Sequence, residues 1–289
     1  MDEFGHYWRG RLCAFVLPAL LAAGPALVPQ SQAQIILTDN NSEARLDPTT
    51  QAGMYYWAVQ NTPTSYQNEL NKQWFWYRVG SDPELSIDTI SAPAITGLTA
   101  NTVTTTYTDG LGRFNLSVRY SLAGGAPDSG TADITEQITI NNTSGAVLPF
   151  HFFQYSDFNM AGDGMNDFAL LSRNGFTLRY NQVDQLDGAN LVELVATPNA
   201  NHGEADLVPN TLNKLNDAFP TTLDDSKTNA FGDVAFALQW DQNIAVGGTL
   251  LISKDKQLNI QFVPEPSVMA LVSAGVIACC FHWRRRNSV

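Results

Sequence analysis

A two-residue periodicity constrains the fold of this chain more than any other feature. Between residues 34 and 262, short runs of Val, Ile, Thr and aromatic residues alternate with polar ones and end at Gly, Asn, Asp or Pro clusters. Asp109-Gly110 and Asn174-Gly175 are typical of short hairpin turns, and residues 141–145 are typical of a longer polar turn. The pattern predicts many short antiparallel strands.

The alternation predicts strands over residues 35–38, 54–59, 73–79, 103–108, 114–122, 131–140, 148–158, 167–171, 176–180, 191–196, 233–240, 249–253 and 258–262. One short helix is predicted over residues 211–218, with Asn210 as its cap, inside a long connection from residue 198 to 232. No repeat or linker divides residues 34–262. The prediction is therefore an all-β fold, a single large antiparallel β-sandwich of ordinary or super-sandwich size.

Glu136 is the exception in the clearest alternating strand. Ile134, Ile138 and Ile140 share one face with it, and a carboxylate does not belong on an apolar face. We therefore predict a bulge or local exposure at this position.

Charge and cysteine content restrict the function. The chain has 16 Lys and Arg against 28 Asp and Glu, and residues 34–265 hold 26 of those acids with only 11 of the bases. Such a body should repel nucleic acid and anionic lipid. The cysteines are Cys13, Cys279 and Cys280, all outside the body. The body can therefore hold neither a disulfide nor a thiolate nucleophile.

Residues 1–33 have the pattern of a secretory signal peptide. Arg9 and Arg11 form a basic region, an apolar stretch covers residues 12–27, and small residues precede a cleavage site between Ala33 and Gln34. We predict an N-terminal signal helix that is removed on export, which places residues 34–262 outside the inner membrane.

The C-terminal segment, residues 263–289, has three parts in order. Its prolines fix φ and disfavour helix before them, so the start should be extended and accessible to a protease. Residues 268–283 contain no charged side chain and would span roughly 24 Å as a transmembrane helix. The arginines that follow should stay cytoplasmic. The residues with predicted roles are Val263, Pro264, Glu265, Pro266, Arg284, Arg285 and Arg286.

This order of parts resembles the PEP-CTERM sorting domain of bacterial envelope proteins. Pro264-Glu265-Pro266 matches the name-giving motif, and Arg284 to Arg286 match the basic end. The resemblance implies that an exosortase, a membrane-embedded cysteine protease, recognises residues 263–266 and processes the tail in systems linked to exopolysaccharide. The alternative is an ordinary membrane anchor that is never cut.

An aromatic run offers a first candidate site. Trp74 and Trp76 alternate with Phe75 and Tyr77, so both faces of this strand are apolar. Exposed rings could stack on sugars, but two apolar faces are typical of a central strand buried between layers. Core packing is the preferred interpretation.

An acidic, glycine-containing turn offers a second. Asp157, Asn159, Asp163 and Asp167 supply hard oxygen donors at short spacing, which suits Ca²⁺. Ala161 stands where a helix–loop–helix calcium loop has a ligand, so the match to that loop fails. A polar hairpin turn is the preferred interpretation, with a weak calcium site as the alternative; no other cofactor is predicted.

Histidines and catalytic motifs give little support for an enzyme. His151 lies between large apolar residues and is interpreted as a hydrogen-bonded sheet residue, while His202, Glu204 and Asp206 could supply metal ligands at no recognised spacing. No Gly-x-Ser-x-Gly sequence occurs. Paired carboxylates for glycoside hydrolysis depend on the fold and stay open.

Three functions follow. The first is a non-enzymatic structural or adhesive protein, anchored by its C-terminus before processing and then delivered to the cell surface or an exopolysaccharide matrix. The second is a carbohydrate-binding module, which needs aromatic rings exposed in a row or beside the connection from residue 198 to 232. The third is a polysaccharide-active hydrolase with two carboxylates in one cleft.

Overall fold

The computed structural model describes residues 34–62 and 65–260, which consist mainly of β-strands. Its one α-helix in these residues is α1, Asn210–Leu215, and two single 3₁₀ turns cover Ile87–Thr89 and Met160–Gly162. The strands in chain order are β1 Ile35–Asp39, β2 Ser42–Asp47, β3 Gly53–Thr62, β4 Ser65–Asn68, β5 Leu70–Val79, β6 Leu85–Ser86, β7 Ala94–Thr96, β8 Thr102–Thr108, β9 Phe114–Gly124, β10 Thr131–Asn142, β11 Leu148–Phe158, β12 Asp167–Arg173, β13 Tyr180–Asp187, β14 Asn190–Ala200, β15 His202–Leu207, β16 Asn229–Gly232, β17 Val234–Ile244 and β18 Thr249–Asn259.

The strands form two large sheets. Sheet I has the order β1-β2-β3-β5-β11-β17-β15, with β4 paired to β3 and β6 to β5. Sheet II has the order β16-β12-β13-β14-β18-β10-β9-β8-β7. Pairing is antiparallel except for a short parallel contact between β3 and β5. The predicted all-β architecture with two large antiparallel sheets is confirmed.

One apolar core fills the space between the sheets. Its centre in sheet I is aromatic: Phe75 stacks on Phe152 at 5.4 Å between ring centroids, and Phe152 lies 6.1 Å from Trp240. Phe75, Phe152 and Trp240 point to the same face of sheet I. The residues before and after each of them along its strand therefore point to the opposite, outer face. That outer face carries the polar groups described in the next subsection.

Several predicted elements need correction. Residues 176–180 are mostly a turn, because Asn174 accepts the backbone N–H groups of Phe176 and Thr177 and Leu178 has a positive φ of 57°. The connection from residue 198 to 232 contains β15 and β16 as well as α1. Helix α1 begins at Asn210 itself, so Asn210 is not its cap. Strands β2, β4, β6, β7, β13, β15 and β16 are not predicted by the sequence pattern: most are short, and the large apolar residues of β13 are three positions apart rather than two.

The predicted break at Glu136 is wrong. β10 pairs in continuous register with β9 and β18, and Glu136 is fully buried between the sheets. Lys254 Nζ lies 2.6 Å and Lys256 Nζ 2.7 Å from its two carboxylate oxygens. Gln73 donates to the same carboxylate, and both lysines are fully buried. An ionic cluster therefore replaces apolar packing at this point of the core.

The ionic cluster predicts acid sensitivity. Although burial alone would raise it, the charges and hydrogen bonds of Lys254 and Lys256 lower the pKa of Glu136 from 4.5 to about 2. A carboxyl group whose pKa is lower in the folded state stabilises the protein at any pH above its unfolded-state pKa. That stabilisation is lost as the pH falls from the unfolded-state pKa to the folded-state pKa. We expect Glu136 to contribute about 3 kcal/mol that disappears between pH 4.5 and 2.

A pH titration of the Glu136 carboxyl carbon by NMR of ¹³C-labelled protein checks this expectation. The side chains that face the group are Lys254, Lys256, Gln73 and Tyr120. A midpoint at or above 4.5, the ordinary value for glutamate, would contradict the expected stabilisation by the lysines.

The predicted terminal segments lie outside the described residues. This applies to the signal helix and Ala33 at the N-terminus, and to residues 263–289 with the predicted transmembrane helix. Within residues 34–62 and 65–260, no helix is long and apolar enough to cross a membrane.

Candidate functional site on the outer face of sheet I

Four polar residues form a connected row on the outer face of sheet I, which we call the His–Asp row. They are His151, Asp241, His202 and Asp225. His151 Nδ1 lies 2.5 Å from Asp241 Oδ1, Asp241 Oδ2 lies 3.3 Å from His202 Nε2, and His202 Nδ1 lies 2.8 Å from Asp225 Oδ2. Each aspartate can therefore fix the orientation of an imidazole ring.

The sheet register places the row. His151 on β11 is the cross-strand partner of Asp241 on β17, and His202 on β15 is the partner of Gln239, two residues from Asp241. Side chains two residues apart lie on one face of a strand. Gln239 also donates to Asp241 Oδ1 at 2.8 Å, so the row continues the alternation that sends Phe152 and Trp240 into the core.

The row is accessible in part. The side chains of His151 and Asp241 are 22% and 26% exposed, and those of His202 and Asp225 are 30% and 38% exposed. Burial would raise the pKa of Asp241, but hydrogen bonds from His151 and Gln239 outweigh it and lower the pKa. Asp241 is therefore a carboxylate at neutral pH and can accept hydrogen bonds from a ligand.

The chain from residue 208 to 228, which begins with α1, packs on this face beside β5, β15 and β17. Arg78 Nη1 donates to Glu84 and to the carbonyl of Thr221, both at 2.8 Å. Gln239 accepts the backbone N–H of Leu223, and Glu204 accepts that of Asp224. These contacts hold the covering segment at the edge of the His–Asp row.

Two exposed aromatic rings lie in the connection from residue 198 to 232. Phe219 is 73% exposed. It lies two residues before Thr221, whose carbonyl accepts a hydrogen bond from Arg78. Phe231 on β16 is 66% exposed. Both rings lie within the connection beside which the carbohydrate-binding alternative needs exposed aromatic side chains, although the sequence did not single them out.

The aromatic run on β5 is not a surface site. Trp74, Phe75, Trp76 and Tyr77 are all buried, which confirms core packing and excludes sugar stacking by this strand. Their indole N–H groups are satisfied internally: Trp74 donates to Ser86, and Trp76 donates to Asn216.

The candidate metal ligands are placed as follows. Asp157 is buried and accepts from Asn71, Asp163 accepts the N–H of Met165, and Asp167 accepts the N–H of Met160 and the amide of Gln185. Over residues 34–62 and 65–260, no group of three His, Cys, Asp or Glu residues is gathered as a metal site. The three aspartates of the predicted calcium turn are thus not brought together as one ligand set.

The three residues of the other predicted metal segment, 202–206, each contact different partners. His202 belongs to the His–Asp row, Glu204 binds Thr211 and Lys214, and Asp206 pairs with Lys227. His151 is hydrogen-bonded within the sheet, as the sequence indicated.

Comparison with known proteins identifies the C-terminal segment. Residues 262–286 match the family model described as the PEP-CTERM protein-sorting motif. The chain carries a PEP-CTERM sorting motif. The motif implies export and processing by exosortase, a membrane protein. No curated protein matches this PEP-CTERM chain.

The β-sandwich of this PEP-CTERM chain is similar in fold to several solved structures. A bacterial glucoamylase solved with acarbose matches over 82% of this chain and 32% of its own, with a TM-score of 0.54 and 9% identity. This chain thus spans about a third of that protein. A putative aldose 1-epimerase from Escherichia coli K12 matches over 80% of this chain and 99% of its own, with a TM-score of 0.52 and 8% identity.

A galactose mutarotase related enzyme from Lactobacillus acidophilus gives a comparable match. It covers 79% of this chain and 100% of its own, with a TM-score of 0.52 and 8% identity. At such identities the similarity shows the fold alone.

Proposed function

We propose that this PEP-CTERM protein is exported, processed by an exosortase, and retained at the cell surface or in an exopolysaccharide matrix, where the outer face of sheet I binds carbohydrate. The observation that carries the proposal is the partly exposed His–Asp row on a sandwich of this fold. The similar structures named above include an epimerase, a mutarotase related enzyme and a glucoamylase bound to acarbose, which favours a sugar ligand.

The chemistry of the row suits sugar hydroxyl groups. Carboxylates accept hydrogen bonds from hydroxyls, and a neutral imidazole can donate or accept. The Nδ1 atom of His151 is engaged by Asp241, which leaves Nε2 as the ring nitrogen that can meet a ligand. The acidic body favours a neutral or cationic glycan over an anionic one.

The exposed ring of Phe219 in the covering segment supplies the apolar part of recognition. The face of a sugar ring is apolar and packs on an aromatic side chain, and Phe219 is exposed close to the segment anchored by Arg78. Polar groups that fix orientation, combined with a nearby aromatic surface, are typical of small-ligand sites.

Binding of defined oligosaccharides to the full-length protein in detergent tests this function. We expect His151→Ala to weaken affinity for a bound glycan by about tenfold, because one hydrogen bond to a charge-oriented group is lost. Phe219→Ala should weaken it by about fivefold through loss of ring packing. Calorimetric titration measures both.

Arg119→Ala is the matched control. Arg119 is exposed on the outer face of sheet II, and we expect its removal to leave glycan affinity unchanged. Equal affinity for wild type, His151→Ala and Phe219→Ala would place binding elsewhere on the body.

Two alternatives have distinct outcomes in the same experiment. Absence of binding to any neutral glycan would favour the structural or adhesive role, in which the sandwich serves as a surface module. Conversion of a sugar during incubation, followed by polarimetry for anomers and chromatography for cleavage, would establish an enzyme. The prediction that the body is not an enzyme stands until that measurement is made.

A further inference from the structure

A group of buried oxygen atoms without hydrogen-bond donors lies at the end of the sandwich where β11 leaves sheet I. We call it the orphan-oxygen cluster, and its members are Glu69, Asn159, Asp167 and Gln185. Both carboxylate oxygens of Glu69, Asn159 Oδ1, Asp167 Oδ1 and Gln185 Oε1 are buried and have no hydrogen-bond partner. The side chains of Glu69, Asp167 and Gln185 are fully buried, so water does not reach them freely.

The four residues meet along one stretch of backbone, residues 158–160, Asp167 and Gln185 through their side chains and Glu69 through its main-chain carbonyl. The N–H of Asn159 donates to the carbonyl of Glu69, and the N–H of Met160 donates to Asp167 Oδ2. Gln185 Nε2 donates to Asp167 Oδ2 at 2.7 Å and to the carbonyl of Phe158 at 2.8 Å. The amide nitrogen of Gln185 makes both of these hydrogen bonds. Its amide oxygen makes none and belongs to the same side-chain amide that contacts the Asp167 carboxylate.

The turn after Asn159 folds back onto one member of the cluster. A Cβ atom at Gly164 would lie 2.7 Å from Asn159 Oδ1, so the loop packs directly against this oxygen. Burial raises the pKa of Glu69, and the N–H of Ala161 and the side chain of Gln67, both close to its carboxylate, offset part of that rise.

The charge balance of the cluster is negative. Neither Glu69 nor Asp167 has a lysine, arginine or histidine ion-pair partner within residues 34–62 and 65–260. Asp187 adds a further negative charge close to both. Burial raises the pKa of Glu69 to about 7 and that of Asp167 to about 6. Buried oxygen acceptors are costly unless a hydrogen-bond donor or a cation satisfies them, and a cation also offsets the negative charge of this cluster.

We propose that the orphan-oxygen cluster binds a calcium ion, with Glu69 and Asp167 as carboxylate ligands and Asn159 and Gln185 as amide-oxygen ligands. Calcium takes six to eight oxygen ligands from carboxylates, amides, main-chain carbonyls and water. Two of the four residues supply carboxylate oxygens and two supply amide oxygens, both of which calcium accepts. The site shares Asn159 and Asp167 with the calcium turn predicted from sequence and adds Glu69 and Gln185.

The role of the ion is to tie the two sheets together. Glu69 joins β4 to β5 in sheet I, while Asp167 and Gln185 lie on β12 and β13 of sheet II. An ion held between them stabilises the folded state and not the unfolded chain. An exported protein meets calcium outside the cytoplasm, where the body is predicted to function.

Thermal unfolding and calorimetric titration of the full-length protein in detergent test the site. At a hundredfold excess of calcium over Kd, we expect the unfolding midpoint to rise by about 5–10 °C relative to EDTA. Glu69→Gln and Asp167→Asn should abolish this rise. Their midpoints in EDTA should equal or exceed that of the wild type, because a neutral amide supplies donors to the cluster without an ion. A purely structural carboxylate would instead give lower midpoints in both conditions.

Asp163→Asn is the matched control in the same turn. Asp163 is exposed and accepts only the N–H of Met165 among the described contacts, which asparagine can also do, so this variant should respond to calcium like the wild type. Equal wild-type midpoints in calcium and EDTA, with no heat of binding, would overturn the proposal. A full calcium response in both Glu69→Gln and Asp167→Asn would overturn it as well.

Discussion

Replacing Glu136 with glutamine is expected to lower the free energy of unfolding by about 3–5 kcal/mol. The substitution keeps the shape of the side chain and removes only its charge. Lys254 and Lys256 then face each other in the core without the carboxylate that lies 2.6 and 2.7 Å from them. Burial already lowers the pKa of Lys254 to about 8 despite that carboxylate, so further proton loss from the lysines is the expected response. Chemical denaturation at neutral pH measures the loss.

A triple variant separates lost charge pairing from lost packing. Glu136→Leu combined with Lys254→Met and Lys256→Met removes all three charges at similar volume, and such replacements are often neutral or stabilising. We expect the triple variant to be more stable than Glu136→Gln, although Gln73 and Gln154 lose partners in it. If Glu136→Gln unfolds at the same denaturant concentration as the wild type, the cluster does not stabilise the core.

The same cluster explains where strand prediction succeeds and fails. Strands with a clear alternation, such as β8 and β9, are predicted from sequence within two residues at each end. Strand β18 is predicted as two separate strands because Lys254 and Lys256 occupy core-facing positions. A local pattern cannot reveal that a glutamate on another strand neutralises them. The fold class therefore follows from sequence, while the charged part of its core does not.

The candidate sites depend even more on distant pairing. His151 and Asp241 are 90 residues apart and meet only because β11 and β17 are neighbours in a particular register. Glu69 likewise approaches Asn159 through the pairing of β5 with β11. The sequence singled out His151, Asn159 and Asp167 by residue type. It did not single out Asp241, Glu69 or Gln185, because no local sequence pattern distinguishes them from the many other acids and amides of the chain.

The sorting motif is the opposite case, because its recognition depends on a contiguous segment. Replacing Pro264, Glu265 and Pro266 with alanine is expected to reduce the processed fraction of the chain from nearly all to background in a cell that has an exosortase. Alanine favours helix where proline disfavours it, so the predicted apolar helix can extend into residues 263–266, which we predict to be extended for the protease. The unprocessed chain should then remain in the membrane fraction at its larger mass.

Fractionation with mass spectrometry of the C-terminus measures this outcome. Asn287→Ala with Ser288→Ala is the control, because it alters the tail beyond the arginines and leaves the Pro-Glu-Pro segment intact. Removal of the arginines has a different expected effect: without them the apolar segment loses its stop, and the chain should be released without specific cleavage. An alanine variant with the mass and location of the wild type would show that Pro264 to Pro266 do not direct processing. Delivery of the sandwich to the surface would then need another signal, whatever the body binds.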